Sequence, residues 1–269
     1  MTNNNRKIIL ALSLALSALL VYVSCAGFFD ADFYIKETFN WQVQSMGQDI
    51  IDLFLIAPCL LVTSILVYRN NKFPVAIWAG IMLYLTYSFV IYCFDIHFNK
   101  LFLVYCLCLG LSFYSFVYIL FTQCREYISY PFGKNAVVRF TGIYFIIIAL
   151  LFYFLWLSEV APAIIQKSIP KSLTDTGLFT NGVHVIDLSV FLPGVFIAGI
   201  LLLKQIPLGI ILAPVLLTFF VFMDITIAFL VVLMKMKGLV NNITIAVVMA
   251  VLACASLLLL VLFLKAVKR

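Results

Sequence analysis

Eight stretches of this chain are each long and apolar enough to cross a bilayer, and little sequence is left between them. A spanning helix needs about 20 consecutive apolar residues, because the hydrocarbon layer is roughly 30 Å thick and each residue adds about 1.5 Å. Runs of that kind occupy 8–28, 50–68, 75–94, 101–121, 137–157, 185–203, 208–233 and 239–264. Backbone polar groups in hydrocarbon must find partners within the segment, so such runs form helices. The expected fold is an all-α integral membrane protein with eight transmembrane helices. Composition agrees: 65% of the 269 residues are hydrophobic and 10% are charged, against about 25% charged in a soluble domain. The lipid bilayer is the solvent such a surface requires. Two connections, 29–49 and 158–184, are long enough to hold small structured elements.

The net charge of +6 does not point to nucleic acid. The basic residues sit in short segments between apolar runs, and there is no basic stripe interleaved with exposed aromatics. The seven cysteines include no CxxC pair, which leaves no thiol-redox centre or zinc knuckle in view. Arg6 and Lys7 precede an apolar run ending in Val23-Ser24-Cys25-Ala26-Gly27, as in a lipoprotein signal. Tyr22 stands where such a signal usually has Leu, and the run is long, so the first segment reads as a retained helix.

Lys and Arg placement sets the expected orientation. With the N-terminus inside, the inner segments hold Arg6, Lys7, Arg69, Lys72, Arg125, Lys134, Arg139, Lys204, Lys265, Lys268 and Arg269. The outer ones hold Lys36, Lys100, Lys167, Lys171, Lys235 and Lys237. Eleven against six places both termini in the cytoplasm.

The second and sixth runs are alike. Ile51-Asp52-Leu53 precedes Pro58 as Ile186-Asp187-Leu188 precedes Pro193, and Ile65-Leu66 aligns with Ile200-Leu201. Arg69 matches Lys204, and Pro74 and Pro207 open the next runs. Without a gap, 48–69 and 183–204 share six of 22 positions. This reads as a duplication of four helices, 1–134 and 135–269. Because each unit has an even number of helices, the two repeats insert in parallel.

Ionisable groups inside a membrane are costly and mark functional sites by default. Asp49 and Asp52 share one helical face at the outer end of the second run, and the repeat places His184 and Asp187 opposite them. The four suit a divalent metal, a bound cation or a proton relay. They also suit the first turn of a helix, where the dipole favours carboxylates. Asp224 lies in the seventh run about 15 Å below its outer boundary. It reads either as the floor of an outward-facing polar cavity or as a carboxyl bonded to Thr218, Thr226 or a tyrosine. Tyr84, Tyr87 and Tyr92 stripe the third run, as packing or as the wall of a polar path. Asp95 and His97, with Asn99 and Lys100, read as a solvated turn, and Glu159 as a residue at the outer interface.

Gln48-Asp49-x-x-Asp52-Leu53 with Pro58, Phe98-Asn99-x-Leu101-Phe102-Leu103-x-Tyr105, and Asp187-Leu188 with Pro193 carry a resemblance. Together they resemble an uncharacterised family of bacterial polytopic inner-membrane proteins. The resemblance implies a bacterial inner-membrane setting and no activity.

The leading functional expectation is movement of a small solute or ion through a cavity between the two repeats. Asp52 and Asp187 would form its rim, Asp49 and His184 would flank them, and Asp224 would lie deeper. The first alternative is a membrane-embedded metal-dependent hydrolase acting on a lipid or lipid-linked group. It requires Asp49, Asp52, His184 and Asp187 to converge on one ion. The second is a receptor or partner subunit without chemistry.

Overall fold

The computed structural model describes residues 2–70, 74–127 and 136–267, and the side chains among them except 123–127 and 267. Lys72, Lys134, Lys268 and Arg269, counted above, lie outside the described residues, as do the side chains of Arg125 and Glu126. The described chain is helical, and eight of its helices are long and apolar enough to cross a membrane. In order, the helices are α1 (Asn3–Phe29), α2 (Phe39–Tyr68), α3 (Pro74–Phe94), α4 (Phe102–Tyr127) and α5 (Ala136–Gln166). They continue with the short α6 (Lys171–Thr176), then α7 (Gly182–Leu203), α8 (Pro207–Met236) and α9 (Thr244–Val267). Eight passes return the chain to the end where it began, and the opposite end is called distal here.

The helix count matches the sequence reading, but α2 and α5 extend well past their apolar runs at the distal end. α2 begins at Phe39, where Thr38 caps it by accepting the Trp41 N–H. Its first three turns bury Trp41, Val43, Ser45 and Gly47 inside the protein. They face neighbouring helices and a cavity rather than lipid, so they need not be apolar, and a hydropathy count passes over them. This corrects the reading of Asp49 and Asp52 as first-turn residues: both lie mid-helix, well beyond the reach of the N-terminal dipole. α5 runs on through Pro162 to Gln166, so Glu159 is inside it. Its Oε1 accepts the Ser172 N–H at 2.8 Å and fixes α6. Both long connections hold structured elements, namely the first turns of α2 and all of α6.

Each Asp-Leu segment forms a π-helical turn, Asp52–Ile56 in α2 and Asp187–Phe191 in α7. The Ala57 N–H reaches back five residues to the Asp52 carbonyl, and the Leu192 N–H does the same to Asp187. Pro58 and Pro193 explain the shift: proline lacks an N–H, and its ring crowds the carbonyl four residues earlier. In α7 this frees the Leu188 carbonyl, which accepts the Tyr153 O–H at 2.8 Å. Two residues past each helix end stands a residue with left-handed φ, Asn70 (φ 68) and Gln205 (φ 55), before Pro74 and Pro207.

α1 packs on α2 and α3 on α4, as α5 packs on α7 and α8 on α9. α3 and α8 cross at the centre and are the most enclosed spans. Their close approach depends on Gly80, where an added Cβ would lie 2.5 Å from the Thr218 Cβ and 2.7 Å from the Val215 carbonyl oxygen. Small residues at such crossings let backbones come close, which drives helix association in lipid. At the distal end α2 leans on α8, and the first turns of α7 lean on α3.

Candidate ligand cavity between the two halves

A cavity of about 430 Å³ opens at the distal end between α2 and α3 on one side and α5, α7 and α8 on the other. Ser172, Thr176 and Asn181 form part of its rim, and its wall descends past Asp224 to Phe219. Of the five residues picked from the sequence, His184, Asp187 and Asp224 line it, while Asp49 and Asp52 do not.

Asp49 is fully buried, with both oxygens occupied. Tyr34 donates its O–H to Oδ2 and Tyr92 donates to Oδ1, each at 2.7 Å. Burial, then the neighbouring Asp49, push the Tyr34 phenol well above its usual range, so it stays a proton donor. Gly27 makes room for this cluster, since a Cβ there would fall 1.8 Å from Asp49 Oδ2. Asp52 is equally enclosed: Gln48 Nε2 donates to its Oδ1 at 3.0 Å, and Oδ2 is buried without a partner among the described residues. The same Gln48 amide donates to Tyr84 Oη at 2.8 Å. Thr226 spends its hydroxyl proton on the Phe222 carbonyl. Tyr84 therefore donates to Thr226 Oγ1, at 2.9 Å. A polar chain thus runs from α2 through α3 to α8 beside the cavity.

Asp187 sits on the cavity wall, also with both oxygens occupied, by the Tyr87 O–H at 3.0 Å and the Trp156 Nε1–H at 2.8 Å. The Trp156 ring lies against His184, with centroids 4.5 Å apart. The Nε2 of His184 is buried without a partner among the described residues. Asp224 differs from the other carboxyls: it is 3% exposed, lines the cavity, and no described side chain or backbone group bonds to it. The partners expected for it are engaged elsewhere. Thr218 donates to the Pro214 carbonyl, and Thr226 belongs to the Gln48–Tyr84 chain.

Asp95 and Glu37 correct the solvated-turn reading. Asp95 is buried, its Oδ2 accepts the Gly182 N–H at 2.9 Å, and its carbonyl accepts the Trp41 Nε1–H at 2.7 Å. It therefore ties α2 to α7 across the rim. Burial pushes its carboxyl up to about 6, against the lowering effect of the Gly182 N–H. Glu37 is buried beside it and accepts from the His97 backbone N–H at 2.7 Å. The ring of His97 itself is exposed.

The four candidate metal ligands do not converge. Asp49 and Asp52 are sealed within the first half, and Asp187 is already bonded to a phenol and an indole. Among the described residues no group of three or more His, Cys, Asp or Glu is placed to hold an ion. Sequence reasoning found the α3 tyrosines but not their tasks: Tyr92 and Tyr87 donate to Asp49 and Asp187, and Tyr84 links Gln48 to Thr226. It missed Tyr34 and Trp156 altogether and quoted Gln48 only as part of a motif, since phenols, amides and indoles carry no signal until the partner is known.

No protein-family model, no curated protein and no solved structure matches the chain. The fold defines an all-helical, eight-pass membrane protein, and any finer reading rests on the cavity itself.

Proposed function

We propose that this protein binds and moves a small solute or ion through the cavity between α2–α3 and α5–α8. One observation carries the reading: Asp224, a largely buried carboxyl on the cavity wall, has no partner among the described residues. A carboxyl that borders the cavity keeps its oxygens for whatever fills that space, so its retention fits a group that a ligand satisfies. Asp187 and His184 contribute the nearby polar wall. Asp49 and Asp52 enter as supports of the first half rather than as ligand contacts.

The distal end is the outer face in this reading, which puts both termini in the cytoplasm by the excess of Lys and Arg on their side. A bacterial inner membrane is the setting that the sequence resemblance implies. The halves 1–134 and 135–269 are read as parallel repeats. The paired π turns, the paired left-handed residues and the like packing of α1–α4 and α5–α9 support that reading. Transport is favoured over hydrolysis because the hydrolase needs a converging ligand set. It is favoured over a purely structural subunit because that role has no use for an enclosed carboxyl beside empty space.

The test is uptake of radiolabelled tetramethylammonium, glutamate and glucose into vesicles containing the purified protein. The expected result is uptake of at least one above protein-free vesicles, falling at least about tenfold in Asp224→Asn. Uptake equal to protein-free vesicles for all three, or unchanged in Asp224→Asn, overturns the reading.

A further inference from the structure

The chemistry of the cavity wall narrows the class of solute, on the premise that the cavity is a solute site. Among the described residues no Lys or Arg lines it, whereas Asp175, Asp187 and Asp224 do. The nearest distal lysine on α8, Lys235, gives its ammonium to the Asn241 carbonyl. An anion entering here would meet carboxylates and no counter-charge. A cation would meet Asp224, whose oxygens have no partner among the described residues. Asp187 is already satisfied by two donors and Asp175 is exposed at the rim, so Asp224 is the enclosed carboxyl left for a ligand.

A bare inorganic cation is a poor fit. Sodium, calcium and magnesium are held by about six oxygens converging at short range, and Asp224 is flanked by Phe220 and Met223 on its own helix. The walls are instead aromatic. Tyr87 and Phe219 have centroids 5.5 Å apart, and Phe191 and Phe219 4.2 Å, and all three rings border the cavity. Ring faces attract ammonium groups, more strongly when these are shed of water. A volume of about 430 Å³ exceeds what a single ion fills and falls in the range of small-molecule sites, roughly 300–1,000 Å³.

We propose that the cavity takes an amphiphilic organic monocation, an amine or quaternary ammonium on a hydrocarbon or aromatic body. Its charge rests at Asp224 and its body lies against the Tyr87–Phe191–Phe219 rings. Asp187 and Trp156 hold each other beside these rings, to which the Tyr87 hydroxyl ties Asp187.

The experiment is calorimetric binding to the full-length protein in lipid nanodiscs. The probes are benzyltrimethylammonium, its uncharged carbon isostere neopentylbenzene, and phenylacetate. Benzyltrimethylammonium is expected to bind at least about tenfold more tightly than either other probe. Asp224→Asn is expected to lower that affinity at least about tenfold and leave the isostere unchanged, while Asp224→Glu retains most of it. The wild-type series needs no variant, so it stands even if Asp224→Asn fails to fold. Equal binding of the isostere or of phenylacetate overturns the cation assignment and leaves the cavity a solute site. Binding of none overturns the assignment, and the cavity reading is then decided separately by the vesicle fluxes above.

Discussion

Around the π turn of α2, Asp49 and Asp52 are wholly enclosed by protein. Around the π turn of α7, His184 and Asp187 line a cavity. The local device is the same in both: a carboxylate opens the turn, and a proline six residues on prevents regular hydrogen bonding. What differs is the surround. On the first side Tyr34, Tyr92 and Gln48 close over the carboxylates. On the second, one indole and one phenol hold Asp187 at the edge of open space. The same kind of turn therefore sits in a sealed polar core in α2 and in a cavity wall in α7, and the helices packed against it decide which.

That contrast predicts unequal consequences for equivalent substitutions. The largest effect is expected for Asp49→Ala, which strands the Tyr34 and Tyr92 hydroxyls. Two unpartnered buried groups should cost about 2–5 kcal/mol together, seen as a lowered midpoint in thermal unfolding in detergent. An unchanged midpoint would mean that the cluster is not sealed. Gly27→Ala is expected to follow at about 1–3 kcal/mol, because its methyl would fall 1.8 Å from Asp49 Oδ2. Asp187→Asn should cost only about 1 kcal/mol, since the amide keeps one acceptor and the wall can admit water. It should shift Trp156 emission, and a loss as large as that of Asp49→Ala would erase the distinction between the halves.

A further effect is a pH dependence at the rim. The carboxyl of Asp95 sits at about 6 in the folded protein, above its unfolded value of about 3.9. The folded state thus holds this proton more tightly than the unfolded one. Protonation at Asp95 therefore favours folding below about pH 4, and that contribution is lost as pH rises through about 6. Wild type should gain stability relative to Asp95→Asn between pH 7 and pH 4, by at most about 3 kcal/mol. A gap that stays constant across that range would place Asp95 in solvent.

The spanning helices were legible in the sequence because lipid demands a continuous apolar run. α2 shows where that rule stops: residues 39–49 are helical but shielded by protein, and no hydropathy window distinguishes them from a loop. Asp187 and Asp224 stood out because carboxyls are rare in such segments. Which of them would be satisfied was not legible, because the answer lies in residues far along the chain. Trp156 reaches Asp187 from 31 residues away and Tyr87 from 100. Asp95 looked solvated for the same reason, its partner being the backbone of Gly182.

The most direct test of the sealed half and the open cavity is thiol labelling from outside intact cells. Asp52→Cys and Asp224→Cys would each be placed in a background freed of the native cysteines and treated with a membrane-impermeant methanethiosulfonate. The account predicts that position 224 reacts through the distal opening while position 52 stays unlabelled. Labelling at 52, or none at 224 in protein that folds and reaches the membrane, would contradict it.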